Sequence, residues 1–238
     1  LVACQPNVSN AVFIIILSFL MLFIGGCRIP HLISAGAAVV AVSAPLLYRF
    51  GHVSGRLHAY LRGGENARGL GYHVDQSLIA LGSGFITGVG PGHGHQKYNF
   101  LPDAHTDFIF SIIGEELGIL GTVVVLALFA FFLSRAVVAA RRAPDRFGTL
   151  LALGIGFSIA GTALINMSMT LGLLPTAGLP LPFVSYGGSS LMTSLAATGI
   201  LLNISRRRQT AAAATVRTRA RRRSGRRVYA RRVREGAA

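Results

Sequence analysis

A succession of six apolar segments constrains the fold more than any other feature of the sequence. A helix needs about 20 apolar residues to cross the hydrocarbon layer of a bilayer. The chain is 52% hydrophobic and only 13% charged, with a mean hydropathy of +0.56, which is typical of a membrane protein. The sequence therefore predicts an all-α polytopic membrane protein with about six transmembrane helices. The segments cover roughly residues 11–26, 31–48, 75–90, 108–134, 147–172 and 182–204.

Two of these segments have alternative interpretations. The segment at 75–90 contains Asp75, Gln76 and several glycines, so a short, broken or partly re-entrant helix is the alternative to a full crossing. Such a helix requires protein or water to cover its backbone. The segment at 11–26 has the length of a signal-peptide core. No basic stretch precedes it and five further apolar segments follow, which favours a transmembrane helix.

The arginines predict the orientation, because cytoplasmic loops carry an excess of positive charge. Three arginine groups would be cytoplasmic, so both chain ends are predicted to lie on the cytoplasmic side of the membrane. The linkers at about 91–107 and 173–181 then face outward, the former as a large extracytoplasmic loop before the fourth helix. Arg28 is the exception, since this topology places it outside. The groups are Arg49, Arg56, Arg62 and Arg68; Arg135, Arg141, Arg142 and Arg146; and thirteen arginines within 206–234.

The chain divides into a transmembrane helical domain, residues 1–205, and a basic tail, residues 206–238. Thirteen arginines against one glutamate make the tail the main source of the net charge of +15. We expect a disordered cytoplasmic tail that contacts anionic lipids, each basic residue contributing on the order of 1 kcal/mol. A partner protein is the alternative, and nucleic acid is not expected. Cys4 and Cys27 flank the first helix and are too far apart to pair across it.

The polar linker before the fourth helix holds the most informative residues. Four of the eight acidic residues fall between positions 103 and 116, and ionisable residues at or inside a membrane indicate a functional site. Asp107 directly precedes the helix, so Thr106 or Asp107 as its N-cap is the structural alternative. Glu115 and Glu116 point about 100° apart, with Glu115 nearer the Asp107 side. Support through hydrogen bonds or ion pairs between helices is the alternative role for both.

Other residues of this linker are candidate substrate ligands. Lys97 is the single lysine of the sequence. His93 and His95, two residues apart, are a weak metal signal, and no metal site is predicted. The candidate ligands are Gln96, Lys97, Asp103 and His105.

A second polar group lies around residues 178–190. Pro180 and Pro182 prevent regular helix there. The backbone N–H groups at the start of the sixth helix suit an anion such as phosphate. Close helix packing through small residues is the alternative. The candidate ligands are Ser185, Tyr186, Gly187, Gly188, Ser189 and Ser190.

Taken together, these stretches resemble the SEDS family (shape, elongation, division and sporulation), which includes FtsW, RodA and SpoVE. Seven collinear motifs over about residues 5–205 carry the resemblance. By this likeness the chain corresponds to the last six of ten helices, and earlier helices are expected to precede it. The family's usual Pro-Asp-Leu-Gly reads Pro6-Asn-Val-Ser9 here. The motifs are Gly71-Tyr72 with 76–84; Gln96-Lys97; LPDAHTDFIF at 101–110; Glu115-Glu116-Leu-Gly118; Asn166; Gly172-Leu-Leu-Pro175; and LPFVSYGGSSL at 181–191.

The resemblance implies a peptidoglycan glycosyltransferase that polymerises lipid II outside the membrane during division or elongation. It implies a class B penicillin-binding protein and other division proteins as partners. By position, Asp107 matches the carboxylate regarded as essential, and an inverting transfer needs one base. Lys97, a divalent cation or the amides of 187–190 are candidates for stabilising the departing pyrophosphate. A lipid-linked precursor transporter and a non-catalytic division scaffold are the alternatives.

Overall fold

The computed structural model of the protein describes residues 8–49, 70–96 and 105–206. Within these ranges the regular structure is helical and no strand occurs, so the prediction of an all-α fold is confirmed. Lys97, Asp103 and the basic tail beyond Arg206 lie outside the described residues. The helices are α1 (Val8–Ile24), α2 (Ile29–Arg49), α3 (Leu70–Ser83), α4 (Ile109–Arg141), α5 (Arg146–Thr170) and α6 (residues 188–206).

The centre of the fold is the antiparallel pair α4 and α5. A short turn at 142–145 connects them, and small residues allow the backbones to approach closely. A β-carbon at Gly156 would lie 2.6 Å from the β-carbon of Ala136. The far end of α6 packs on the same core through Leu201 and Ile204.

Two of the described helices are long and apolar enough to cross a membrane, by length and composition. They are α4 and α5, and only 6% and 28% of their most apolar windows are buried inside the protein. The core helix of a soluble protein would be mostly covered by protein. Many apolar side chains of α4 instead face outward, among them Val123, Val124 and Phe131, as expected for a helix surrounded by lipid.

The helix contacts fix the directions in which the chain runs. On α1, Phe13 faces Gly161 and Met21 faces Gly154, so α1 is antiparallel to α5. The turn at 25–28 returns the chain into α2, where Gly36 contacts Phe19. Helix α1 therefore begins, and α2 ends, at the end of the bundle where α4 begins. We call this the Asp107 end.

The opposite end of the bundle, which we call the arginine end, is where α1, α4 and α6 finish and α5 begins. The turn after α1 lies there, since Gly25 to Cys27 line a shallow cavity with Leu150 of α5. The arginines that define this end are Arg28, Arg141, Arg142, Arg146 and Arg206.

Helix α3 runs parallel to α4 and does not reverse the chain across the bundle. The His73 ring stacks on Phe108, at the start of α4, with centroids 6.0 Å apart. One turn further on, the hydroxyls of Ser77 and Ser111 are hydrogen-bonded at 2.5 Å. The prediction of a full crossing at 75–90 is wrong, and the short, partly re-entrant alternative fits. Its 14 residues extend about 21 Å, less than the roughly 30 Å of a hydrocarbon layer.

The chain after α3 turns back by inserting into a break in α4. Gly118 has φ 65° and ψ −162° in the middle of that helix, which disrupts its hydrogen-bond ladder. The loop at 84–90 supplies the replacement partners, so the break is covered by protein as a broken membrane helix requires. The four bonds run from Ile119 N–H to Phe85 O (3.0 Å), Leu120 N–H to Ile86 O (3.3 Å), Val89 N–H to Glu115 O (3.0 Å) and Gly90 N–H to Glu116 O (3.1 Å).

This path differs from the one that six crossings would give. Six crossings would put both chain ends on one side, whereas Val8 lies at the Asp107 end and Arg206 at the arginine end. The prediction also grouped Arg49 with Arg141, and the two residues belong to opposite ends. Arg28, the predicted exception, lies at the arginine end. Charge counting failed because it treated the third segment as a crossing; the other arginines of that linker lie outside the described residues.

Candidate functional site

Three successive carbonyl groups directly before α4 are each held by a different donor. The carbonyl oxygen of His105 accepts from Tyr186 N–H at 2.9 Å. That of Thr106 accepts from the Ser185 hydroxyl at 2.5 Å. That of Asp107 accepts from the Asn166 side-chain amide at 2.8 Å. The backbone that carries Asp107 is therefore fixed to α5 and to the segment that precedes α6.

Asn166 is the link between these parts. It is fully buried in α5, and its Nδ2 donates to Leu179 O at 2.7 Å as well as to Asp107 O. Because both neighbours are acceptors, the orientation of the amide is determined. Its Oδ1 is buried and has no partner within the described residues. Asn166 was one of the seven motifs but not a predicted site residue; the signal was an amide within an apolar helix.

Ser185 joins the same network from the other side. Its hydroxyl accepts from the N–H of buried Leu181 at 2.7 Å while it donates to Thr106 O. A hydroxyl offers one donor and two acceptor sites, so one donor and one acceptor site are used inside the protein. The sequence predicted Ser185 as a substrate ligand, and the structure gives it a role in organising the site.

The Asp107 carboxylate is half-buried beside the backbone at Gly178. A β-carbon at Gly178, where φ is 60°, would lie 3.6 Å from Asp107 Oδ2. Phe108 occupies the N-cap position of α4, so the alternative in which Thr106 or Asp107 is the N-cap is wrong. Asp107 is positioned by the network around its backbone and not by a role as the cap residue.

Glu115 lies further along α4 than Asp107 and is only 2% exposed. Its carboxylate accepts hydrogen bonds from His95 N–H at 2.7 Å and from Gln96 N–H at 3.3 Å. The alternative of an interaction between helices is wrong for these bonds, since His95 and Gln96 belong to the loop that follows α3. Glu116 is half-buried beside it and packs near Gly94.

The remaining predicted ligands are distributed around this network. Tyr186 is 84% exposed, and His105, Gly188 and Ser189 are also exposed, while Gly187 and Ser190 are half-buried. The Gly187 carbonyl accepts the Leu191 N–H at 3.0 Å, so Gly188 to Ser190 form the first turn of α6. Gln96 Oε1 is buried without a partner in the part of the chain that the structure describes.

No metal-binding group was found in the described ranges, where no three His, Cys, Asp or Glu side chains come together. His93 is exposed, and its ring nitrogen Nδ1 lies 3.2 Å from the Pro91 carbonyl. At the Asp107 end, the described contacts are backbone and side-chain hydrogen bonds around the residue that carries the Asp107 carboxylate.

Comparison with known protein families identifies the family of this chain. The chain belongs to the FtsW/RodA/SpoVE family of cell cycle proteins, whose model matches residues 1–210. A membrane protein is thus indicated both by the family and by the two long apolar helices.

Individual relatives agree with this assignment. The chain is 43% identical over 201 residues to a probable peptidoglycan glycosyltransferase FtsW from Trichlorobacter lovleyi, covering 84% of this chain and 53% of that protein. It is 39% identical over 206 residues to stage V sporulation protein E from Bacillus subtilis, covering 87% and 56%. The chain thus spans about half the length of the curated relatives it matches.

Two solved structures share the fold. A chain from a peptidoglycan synthase complex, studied for the coordination of polymerization and crosslinking, matches with a TM-score of 0.67 and 26% identity, over 87% of this chain and 58% of that one. An aspartate-to-alanine mutant of the rod shape determining protein RodA from Thermus thermophilus matches with a TM-score of 0.56 and 26% identity, over 87% and 52%.

Proposed function

We propose that this chain carries the catalytic end of a peptidoglycan glycosyltransferase that polymerises lipid II at the outer face of the bacterial cytoplasmic membrane. The observation that carries the proposal is the fixed backbone of His105 to Asp107, which holds one carboxylate at one end of a membrane helix bundle. The names of the FtsW relatives support the same activity.

Asp107 is the general base of the proposed reaction. It removes the proton from the acceptor hydroxyl as that oxygen attacks the donor sugar and the polyprenyl pyrophosphate leaves. A base must lie within hydrogen-bond reach of its proton, and a fixed backbone keeps it there. Three held carbonyls and the close approach at Gly178 supply that rigidity.

The departing pyrophosphate requires stabilisation where its negative charge develops. The first turn of α6 is one candidate, because helix N-termini present N–H groups and a positive dipole end. The bonds of Ser185 and Tyr186 to Thr106 and His105 connect this turn to the Asp107 backbone. Lys97 or a divalent cation remains the other candidate, and Gln96, Asp103 and His105 are proposed substrate neighbours.

The proposed topology has five crossings and a hairpin that enters and leaves at the outer face. Crossings by α1, α2, α4, α5 and α6 place the arginine end in the cytoplasm. The arginines of that end follow the positive-inside rule, and Arg49, at the outer end of α2, is the exception. The hairpin tip carries Phe85 and Ile86, which are 77% and 65% exposed, as suits contact with lipid. The basic tail follows α6 on the cytoplasmic side and would contact anionic lipids there.

A class B penicillin-binding protein is the proposed partner, with other division proteins around it. The structural likeness to a chain of a peptidoglycan synthase complex supports this assignment. The FtsW relatives favour division over elongation.

The test is polymerisation of purified lipid II by the full-length protein together with a penicillin-binding partner. Glycan strands that depend on the protein are expected. The same protein in liposomes should not move labelled lipid II between leaflets. Movement of lipid II between leaflets without polymerisation would favour the transporter over the enzyme. If the protein showed neither activity, the non-catalytic scaffold would be favoured.

A further inference from the structure

Glu115 makes an unusual contact for a carboxylate inside an apolar helix. A buried carboxylate destabilises the fold by several kcal/mol unless hydrogen bonds compensate for the lost water. The bonds that Glu115 makes come from two successive backbone N–H groups, those of His95 and Gln96. Successive N–H groups that converge on one anion form a compact backbone site. Here the anion is a side chain of the protein itself.

The surrounding loop is shaped to bring those two N–H groups in. A β-carbon at Gly94 would lie 2.9 Å from Glu115 Oε2 and 3.2 Å from Glu116 Cγ, so glycine leaves the room that the Glu115 carboxylate occupies beside the loop. The same turn of α4 binds the loop a second time, because the backbone carbonyls of Glu115 and Glu116 accept hydrogen bonds from the N–H groups of Val89 and Gly90. The carboxylate contact holds Gln96, the last described residue before 97–104.

The chain that separates Gln96 from His105 is therefore attached at both ends. Tyr186 and Ser185 hold its far end at His105 and Thr106. Glu115 holds its near end at His95 and Gln96. Without Glu115, the backbone of His95 and Gln96 would lose a charge-assisted attachment.

We propose that Glu115 is a positioning residue that fixes the backbone of Gln96, a proposed substrate neighbour, a role that rests on the proposed transferase function. Loosening Gln96 would weaken substrate binding and leave the Asp107 backbone in place. Loss of Glu115 should therefore raise KM for lipid II by about tenfold, the scale of one lost charge-assisted hydrogen bond, with kcat changed less than about twofold.

Hydrogen–deuterium exchange of the full-length protein tests the anchor without relying on activity. Glu115→Gln keeps the shape and one acceptor oxygen but presents an NH2 group to the second N–H. Exchange at His95 and Gln96 should rise in Glu115→Gln and further in Glu115→Ala, while α5 stays protected as the measure of folding. Asp145→Asn, an exposed carboxylate at the arginine end, should leave this exchange unchanged.

Kinetics of the same variants test the consequence for substrate. A raised KM with kcat preserved supports the positioning role, and a large fall in kcat with KM unchanged overturns it. Unaltered exchange at His95 and Gln96 in Glu115→Ala also overturns it. If the wild-type protein makes no glycan, the transferase proposal fails, and the exchange experiment still decides whether Glu115 holds the linker.

Discussion

The side-chain amide of Asn166 donates a hydrogen bond to the backbone carbonyl of Asp107 at 2.8 Å, and thereby fixes the carboxylate-bearing residue to the end of α5. Asn166→Ala would leave the carbonyls of Asp107 and Leu179 without this donor. Each buried carbonyl left unpaired costs about 1–3 kcal/mol. We expect a lower thermal unfolding midpoint and at least a tenfold lower polymerisation rate, measured on purified protein.

Asn203 provides the matched control for that substitution. It is an exposed asparagine on α6, toward the arginine end, so Asn203→Ala should change neither quantity measurably. Equal behaviour of the two variants would show that the Asn166 bonds do not organise the site.

The Ser185 hydroxyl is expected to contribute in the same way from the opposite side. Ser185→Ala removes the acceptor for Leu181 N–H and the donor to Thr106 O. A loss of about 1–3 kcal/mol in unfolding free energy is predicted, together with reduced activity. Ser134→Ala is the control, because that exposed hydroxyl bonds only within its own helix, to Phe131 O. Chemical denaturation of both variants measures this difference. Equal stability of Ser185→Ala and the control would contradict the prediction.

The break in α4 predicts a strong dependence on Gly118. A methyl group there would overlap the carbonyl of Ile86, and the residue has φ 65° and ψ −162°, a backbone conformation that costs a non-glycine residue roughly 1–3 kcal/mol. Gly118→Ala should therefore separate the hairpin from α4 and lower the unfolding midpoint.

Gly82→Ala is the contrasting substitution within the hairpin. Nothing lies within 4 Å of the added β-carbon, and alanine in a helix is more favourable than glycine by roughly 0.5–1 kcal/mol. This variant should be as stable as the parent or more so. Comparable destabilisation by the two alanines would contradict the described hairpin.

The proposed topology predicts which arginine positions are reachable from outside. In a variant with Cys4→Ser and Cys27→Ser, a single Arg49→Cys should react with a membrane-impermeant thiol reagent in intact cells. Arg28→Cys should react only after permeabilisation. Labelling of the cysteine at position 28 and protection of the cysteine at position 49 would contradict this topology and favour six crossings.

The sequence predicted the helical fold but did not decide the path of α3. Apolar length and the positive-inside rule are used to predict membrane crossings. They cannot distinguish a crossing helix from a short apolar helix such as α3, which runs parallel to α4. Its direction depends on tertiary contacts such as Ser77 with Ser111, which no local pattern encodes. The glycines and Asp75 in that segment were the available signal, and they predicted the correct alternative.

The candidate site was predictable in its residue types and not in its connections. Asp107 was identified from charge placement and resemblance, because carboxylates are rare in this chain. The roles of Asn166 and Ser185 depend on which backbone groups face them, and so appear only in the folded chain. Glu115 was recognised as a supporting residue, but its partners, the N–H groups of a loop, could not be deduced from helical spacing.

Polymerisation of lipid II by Asp107→Ala and Asp107→Asn tests the central claim most directly. The purified full-length variants should be folded, as judged by their unfolding midpoints, and should produce glycan at least a hundredfold more slowly, within the range expected when a general base is removed. Asp75→Asn, an exposed carboxylate on α3, should retain normal activity. Normal glycan synthesis by folded Asp107→Ala would contradict the assignment of Asp107 as the base.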